Sequence, residues 1–384
     1  MLPDDCDTAV SERTGLLISQ EVVAWLERNE TTATQLQKHL SDGVKGDFGV
    51  RWGPTGVDFP ETVADHVAAV TLLRTQAEWA LERGRMDTGV VALLAAARLI
   101  RYNGGDYSLL GFIVRQSEIK STYEPVQSLL ASGRGRLTET QLRDLQRAFA
   151  QLSEAPTLSE VLRIDWAAQM DVLRSDSNWV PNYTGNRTLR ARFLGFWIGC
   201  TYLISDSKSA DIYDHFRISD ARCEASHGPL VQRQQRSQAL DNEVAVILKK
   251  WNRPFFRLAS GNFPTLNQKE LWSIAWVRTV VSTLAVERFR LKYGQLPVDT
   301  AALVPEFLPE VLRDPIDNQP LRYRREAGGL VVYSIGANGR DDQGQLGPVD
   351  HEDSSATAAG DQGIRVPQFR FLDCGRPNLT SGPE

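Results

Sequence analysis

Two stretches of this 384-residue chain hold side chains whose types and spacing could do chemistry. The first is Asn338-Gly-Arg-Asp-Asp342-Gln-Gly344, followed by Asp350, Glu352, Asp353 and Asp361. Oxygen donors on a glycine-containing loop suit Ca²⁺, a hard cation that takes roughly six to eight oxygen ligands. Asn338, Asp341, Asp342, Asp350 and Asp353 are the candidate ligands. The spacing is not that of an EF-hand, and the same acids form a solvated loop if nothing gathers them. The second stretch carries His215, Cys223 and His227, with Asp211 and Asp214 upstream. These are zinc donors, but they match no closed zinc motif. The segment around them reads as a helix end followed by a polar loop.

The remaining candidates have local explanations. Pro315 biases Asp314 away from helix, and Asp317-Asn318 closes an Asx-turn, so Asp314-Pro-Ile-Asp317 reads as a turn. His66 reads as a satisfied surface or boundary histidine near the start of a helix. Ser205-Asp-Ser-Lys208 matches Ser-x-x-Lys, but the Lys-Thr-Gly that this chemistry also needs is absent. No Gly-x-Ser-x-Gly, His-Glu-x-x-His, Walker or dinucleotide motif occurs. Aromatic residues cluster at Trp166, Trp179, Tyr183, Phe193, Phe196, Trp197 and Tyr202, then at Trp251, Phe255, Phe256 and Phe263. Packing between helices is their ordinary use. Arg253-Pro-Phe-Phe-Arg257 and its continuation to Pro264 mix Arg with Phe in an expected loop, which also suits an interface.

The elements that must position these residues are mostly helical. Leu16–Arg28 and Thr32–Leu40 read as amphipathic helices, and the segment from Gly46 to Pro60 reads as a loop. From Glu61 to about Asn252 the apolar spacing is helical almost throughout. Thr138-Glu-Thr-Gln141 and Thr157-Leu-Ser-Glu160 fit the capping box. Gly84, Gly104–Gly105 and Gly133–Gly135 separate helices of similar length, with no fixed-period repeat. Asn267-Gln-Lys-Glu270 then predicts a helix start, and Leu271–Tyr293 one long helix with a broad apolar face, ended by Gly294 and Pro297. Pro320–Arg324 and Leu330–Ile335 predict a hairpin, and Gln368–Leu372 a further strand. The expected fold is mainly α. Residues 1–60 hold N-terminal helices and a loop docking on the helical domain. An irregular domain of helical hairpins covers 61–265, and a small α+β module, a long helix on a short antiparallel sheet, covers 266–384.

Composition narrows the class. Hydrophobic residues make up 42% and charged residues 24%, as in a globular chain with a buried core. The net charge of −5 argues against nonspecific nucleic-acid binding, which needs a basic footprint. A mean hydropathy of −0.30 argues against a polytopic membrane protein. The apolar runs at Gly89–Ile100 and Phe193–Ile204 are shorter than the ~20 residues of a membrane span. Cys6, Cys200, Cys223 and Cys374 are too scattered for a redox pair, and no disulfide is assigned to them. The first fifteen residues lack the basic and apolar regions of a signal peptide.

Residues 285–344 resemble the globular domain of the major pseudopilins of type II secretion systems. The likeness rests on an ordered set: a long helix ending in Tyr293-Gly294-x-x-Pro297, then Leu303-Val304-Pro305, Asp314-Pro315, Pro320-Leu-x-Tyr323, Val332-Tyr-Ser-Ile-Gly336 and an acidic glycine loop. It covers under a third of the chain. It departs from the family where the matching helix is internal and carries Arg278, Glu287, Arg288, Arg290 and Lys292. Residues 61–293 look like uncharacterised bacterial proteins with helical hairpins before such a module. The resemblance implies a periplasmic or envelope location, protein partners and calcium at the loop after the Tyr-Ser-x-Gly strand. The expectation is therefore a non-enzymatic assembly or partner-binding protein of a bacterial envelope or secretion system, with no nucleic acid and no membrane span. The alternative is a metal-dependent hydrolase with its site in the helical domain at His215–His227, of unknown small-molecule substrate.

Overall fold

The computed structural model describes residues 20–41, 51–53, 56–58, 62–103, 108–132, 136–154, 156–174, 196–198, 200–202, 204–205, 207–228, 230–259, 263–326, 329–336, 338–347 and 360–367. The fold is mainly α, with a small three-stranded antiparallel sheet near the C-terminal end. Helices α1 (Gln20–Arg28) and α2 (Glu30–Ser41) precede a short antiparallel hairpin, β1 (Arg51–Gly53) and β2 (Gly56–Asp58). That hairpin lies where the sequence predicts a loop. Strand pairing across two residues needs no apolar period of its own.

The helical body follows as α3 (Thr62–Glu82), α4 (Met86–Asn103), α5 (Leu109–Ser121), α6 (Tyr123–Ser132), α7 (Glu139–Ala150) and α8 (Leu158–Arg174). Helix α3 stops at Gly84, whose positive φ lets its N–H reach Leu81 while Arg85 N–H reaches Ala80. Those two bonds are the Schellman pair that closes a helix and turns the chain into α4. Both expected capping boxes form, Thr138 with Gln141 at α7 and Thr157 with Glu160 at α8.

After α8 come α9 (Lys208–Ala225), α10 (Leu230–Leu248), α11 (Pro254–Ala259) and α12 (Phe263–Tyr293). Three local expectations are corrected here. Helix α9 runs unbroken through His215 and Cys223, with no polar loop until Ser226. The segment 253–268, expected as a loop, instead contains α11 and the first six residues of α12. Helix α12 starts at Phe263, with Pro264 in its first turn, where a missing N–H costs nothing. Asn267 and Glu270 are therefore not a cap; both are buried within the helix and serve distant partners. At its end Gly294, at φ 70°, donates to Arg290, as expected.

At 31 residues α12 is about 46 Å long and is the axis of the molecule. From Thr279 to Glu287 every residue is buried, so the helix is enclosed all round rather than along one face. Thr279 and Thr283 satisfy their hydroxyls on the carbonyls of Ala275 and Thr279, which lets polar side chains sit inside. Strands β3 (Arg322–Glu326), β4 (Gly329–Ser334) and β5 (Gln362–Pro367) form the sheet in that order, both pairs antiparallel. The third strand is 362–367, not the expected 368–372, which lies outside the described residues. One apolar core runs through α4, α6, α7, α12 and the inner sheet face, from Leu93 and Phe149 through Trp276 and Leu284 to Val332 and Ile364. Polar bonds join the same elements: Trp276 Nε1 donates to Thr122 Oγ1, Tyr123 Oη to the Gly363 carbonyl and Gln146 Nε2 to the Phe307 carbonyl.

Candidate partner-binding surface and the acidic loop

Among the described residues, most large apolar side chains left in solvent fall between Phe196 and Trp251. Phe196 is 70% exposed, Ile204 79% and Trp251 59%, with Trp197, Tyr213 and Phe216 also exposed. Elsewhere the exposed large apolar residues are Val67, Val91 and Leu110, and the group Leu291, Tyr293 and Val298 at the end of α12. Of the aromatic residues predicted to pack between helices, Trp179, Tyr183 and Phe193 lie outside the described residues, and those whose side chains are described are partly packed and partly presented. Phe256 is fully buried, whereas Phe216 meets Trp166 of α8 edge-on at 4.9 Å and still reaches solvent.

Buried polar bonds fix the elements that carry these side chains. Asp211 on α9 is fully buried and accepts from Tyr202 Oη at 2.7 Å and from the Phe256 amide at 3.0 Å. It thereby joins the segment before α9 to the start of α11. Asp214, one turn further, takes Arg253 Nε at 2.6 Å, with Lys250 at 3.7 Å. Ser207 Oγ donates to the Asn252 carbonyl. Asp211 and Asp214, metal donors by residue type, both serve the fold as fasteners.

The zinc candidates are dispersed. His215 and Cys223 lie buried on α9, and His227 is exposed beyond its end. The His215 ring faces Phe256 edge-on, and burial together with Arg222 holds its pKa down at about 4. Burial pushes the Cys223 thiol up, away from the reactive thiolate. His66, expected at a boundary, is buried and lies 3.1 Å from Glu118 of α5. Among the described residues no group of three or more His, Cys, Asp or Glu side chains is placed to hold a metal ion.

In the acidic loop, Asn338, Asp341 and Asp342 are described, and Asp350 and Asp353 lie outside the described residues. Asn338 Oδ1 accepts the Arg340 amide, and its Nδ2 donates to Asp342 Oδ2. Asp341 Oδ1 accepts the Gln343 amide and the Tyr333 hydroxyl. Asp361, buried at the start of β5, accepts the amides of Asp342 at 3.1 Å and Gly344 at 2.6 Å. In the described part of the loop these side chains accept from the protein's own amides, the Asn338 side chain and the Tyr333 hydroxyl.

Asp317 forms its expected Asx-turn with Gln319, and Asp314 forms a second one with Ile316. The fold adds what the sequence did not show. Asp314 is fully buried and also accepts Ser334 Oγ, the Ile335 amide and Arg322 Nη1. Burial pushes its pKa up, against the pull of the Ile316 and Ile335 amides and the Ser334 hydroxyl. Arg322 was missed, although an Arg alternating with Tyr323 on a strand five residues after Asp317 carried the signal.

No protein-family model matches the chain, and neither the curated proteins nor the solved structures give a match. No helix among the described residues is long and apolar enough to cross a membrane.

Proposed function

We propose that this is a non-enzymatic assembly or partner-binding protein of a bacterial envelope or secretion system. Its pseudopilin-like module serves as the packed end of the chain, and its binding face lies on the segment from Phe196 to Trp251. The observation that carries the reading is the concentration of exposed aromatic residues on elements fastened by Asp211, Asp214 and Ser207. Exposed aromatic side chains on a rigid base offer large contact area at low ordering cost, the property of interface anchors. The ordered motif set over 285–344 supports the secretion setting, and the absence of catalytic motifs from the sequence supports a binding role.

The test compares wild type with a Tyr213→Ser, Trp251→Ser double variant whose melting temperature is unchanged. Protein purified from the native host with its bound partners is expected to retain an envelope or secretion component that the variant loses. Equal capture by both proteins removes this face from the proposal. Turnover of a substrate abolished by His215→Ala, with the fold retained, replaces the reading with an enzymatic one.

A further inference from the structure

The outer face of the sheet is lined by arginines and covered by the acidic loop. Register places Arg324, Val331 and Arg365 in one row across β3, β4 and β5, and Arg322 beside Tyr333 in the next. The opposite face, with Leu330, Val332, Ile364 and Val366, is the one in the core. Gly344 rests on the outer row: a Cβ there would lie 3.1 Å from Val331 Cγ1 and 3.3 Å from Tyr333 Cε1. Arg365 Nη2 donates to the Gly344 carbonyl at 2.6 Å, while Asp361 holds the Gly344 amide from the other side. The loop is thus fastened by main-chain groups at its middle.

Arg322 does what a metal ion would do at such a place. Its guanidinium lies 2.9 Å from Asp314, 2.5 Å from Asp317 and 3.9 Å from Asp341, carboxylates from two chain segments drawn to one cation. Arg322 is itself four-fifths buried, and the bond to Asp317 raises its pKa above the ordinary guanidinium range. A guanidinium is planar, permanently charged and offers several donors in a fixed fork, so one side chain serves several carboxylates at once.

We infer that Arg322 is the built-in cation of this module, which holds the Asp314 turn and the Asp341 loop against the sheet in place of calcium. The charge comes with the polypeptide, so the module keeps its structure whether or not divalent ions are present. This runs against what the pseudopilin resemblance implies for the loop, and it is independent of the partner-binding reading.

The experiment is thermal unfolding of the full chain in millimolar CaCl₂ (~10⁻³ M, the weak extracellular regime) and in EGTA, for wild type, Arg322→Gln and Arg322→Lys. Wild type is expected to melt at the same temperature in both solutions. In EGTA, Arg322→Gln is expected to fall by about 5 °C or more, with Arg322→Lys between the two. If Arg322→Gln fails to fold, the Lys variant carries the comparison, since it keeps the charge and loses the fork. A wild-type melting temperature raised several degrees by calcium overturns the inference. So does an Arg322→Gln protein, or where that fails to fold an Arg322→Lys protein, as stable in EGTA as wild type.

Discussion

Two fully buried aspartates organise two regions of this molecule by different means. Asp314 gathers donors from its own neighbourhood: an amide two residues on, a guanidinium eight residues on, and a hydroxyl and an amide of the next strand. Asp211 sits inside a helix and joins Tyr202, nine residues before it, to Phe256, forty-five residues after it. The first builds a turn and presses it onto a sheet. The second staples pre-formed helices together. A carboxylate that makes a turn sets local conformation, whereas one that joins helices sets only how they dock.

The contrast is broken or sharpened most by removing Asp314. Asp314→Ala takes from Arg322 its fully buried partner, with Asp317 remaining, and leaves the Ile316 and Ile335 amides without their acceptor. Breaking one side of a buried ion pair typically costs about 3–5 kcal/mol, and a loss in that range is expected in urea unfolding. A loss below about 1 kcal/mol, the scale of an exposed pair, would make Asp314 an ordinary turn residue. The other region is tested through the titration of His215. His215 lies one turn from Asp211 and has a pKa of about 4, down from 6.5, through burial and then Arg222. The neutral ring is the form the fold accepts. Its contribution is complete above pH 6.5 and is lost as pH falls through 6.5 towards 4. That difference is worth about 3 kcal/mol once both states are protonated. Stability measured from pH 7 to pH 4 is expected to fall less steeply in His215→Phe than in wild type. Parallel slopes would show that the imidazole is not desolvated.

The same contrast explains what the sequence disclosed. The Asp314 turn was legible because proline at 315 and the Asp317-Asn318 pair fix it within five residues. The capping boxes at Thr138 and Thr157 and the stop at Gly294 were legible for the same reason. Their partners lie three or four residues away. The start of α12 was misplaced because Asn267 and Glu270 look like a cap when read locally. In the fold Glu270 takes Arg233 at 2.6 Å and the Leu158 amide at 2.6 Å, contacts 37 and 112 residues distant. The full length of helix α9 is hidden in the sequence because its buried Asp211, Asp214, His215 and Arg222 lack the polarity pattern of an amphipathic helix. Arg322 was overlooked because its value depends on three carboxylates brought together by a turn and a loop. Helical class survives such errors, since it depends on many weak local preferences. Sites do not, since they depend on a few long-range ones.

A smaller effect separates docking from folding more directly. Asp211→Ala leaves the Phe256 amide and the Tyr202 hydroxyl without this acceptor, at a cost of about 2 kcal/mol. Because the partners lie on separate elements, the loss should be regional. Amide hydrogen exchange in α11 is expected to speed up, while Val280 and Leu284 in the enclosed part of α12 keep their protection apart from the change in global stability. Uniform acceleration across both helices would mean that Asp211 supports the whole fold and that the two aspartates do not differ in kind.

The smallest effect compares two helix starts that the sequence made look alike. At α7, Thr138 Oγ1 accepts the Gln141 amide, and Gln141 Oε1 accepts the Thr138 amide at 2.9 Å. At α8, Thr157 and Glu160 make the same exchange, but the returning group is a carboxylate. Replacing either threonine by alanine is expected to cost about 1 kcal/mol at neutral pH. Bonds from the Thr157 backbone and hydroxyl hold the Glu160 pKa below 4.5, its ordinary value. The charged part of that cap is therefore present above pH 4.5 and fades as pH falls through the lowered value, when Glu160 takes up a proton. Gln141 has no proton to gain. The cost of Thr157→Ala should accordingly shrink between pH 7 and pH 3, while that of Thr138→Ala stays level, both read from unfolding in urea. If the two costs fall together, acid is weakening the helices as a whole, and the reciprocal bond of Glu160 adds nothing that glutamine does not.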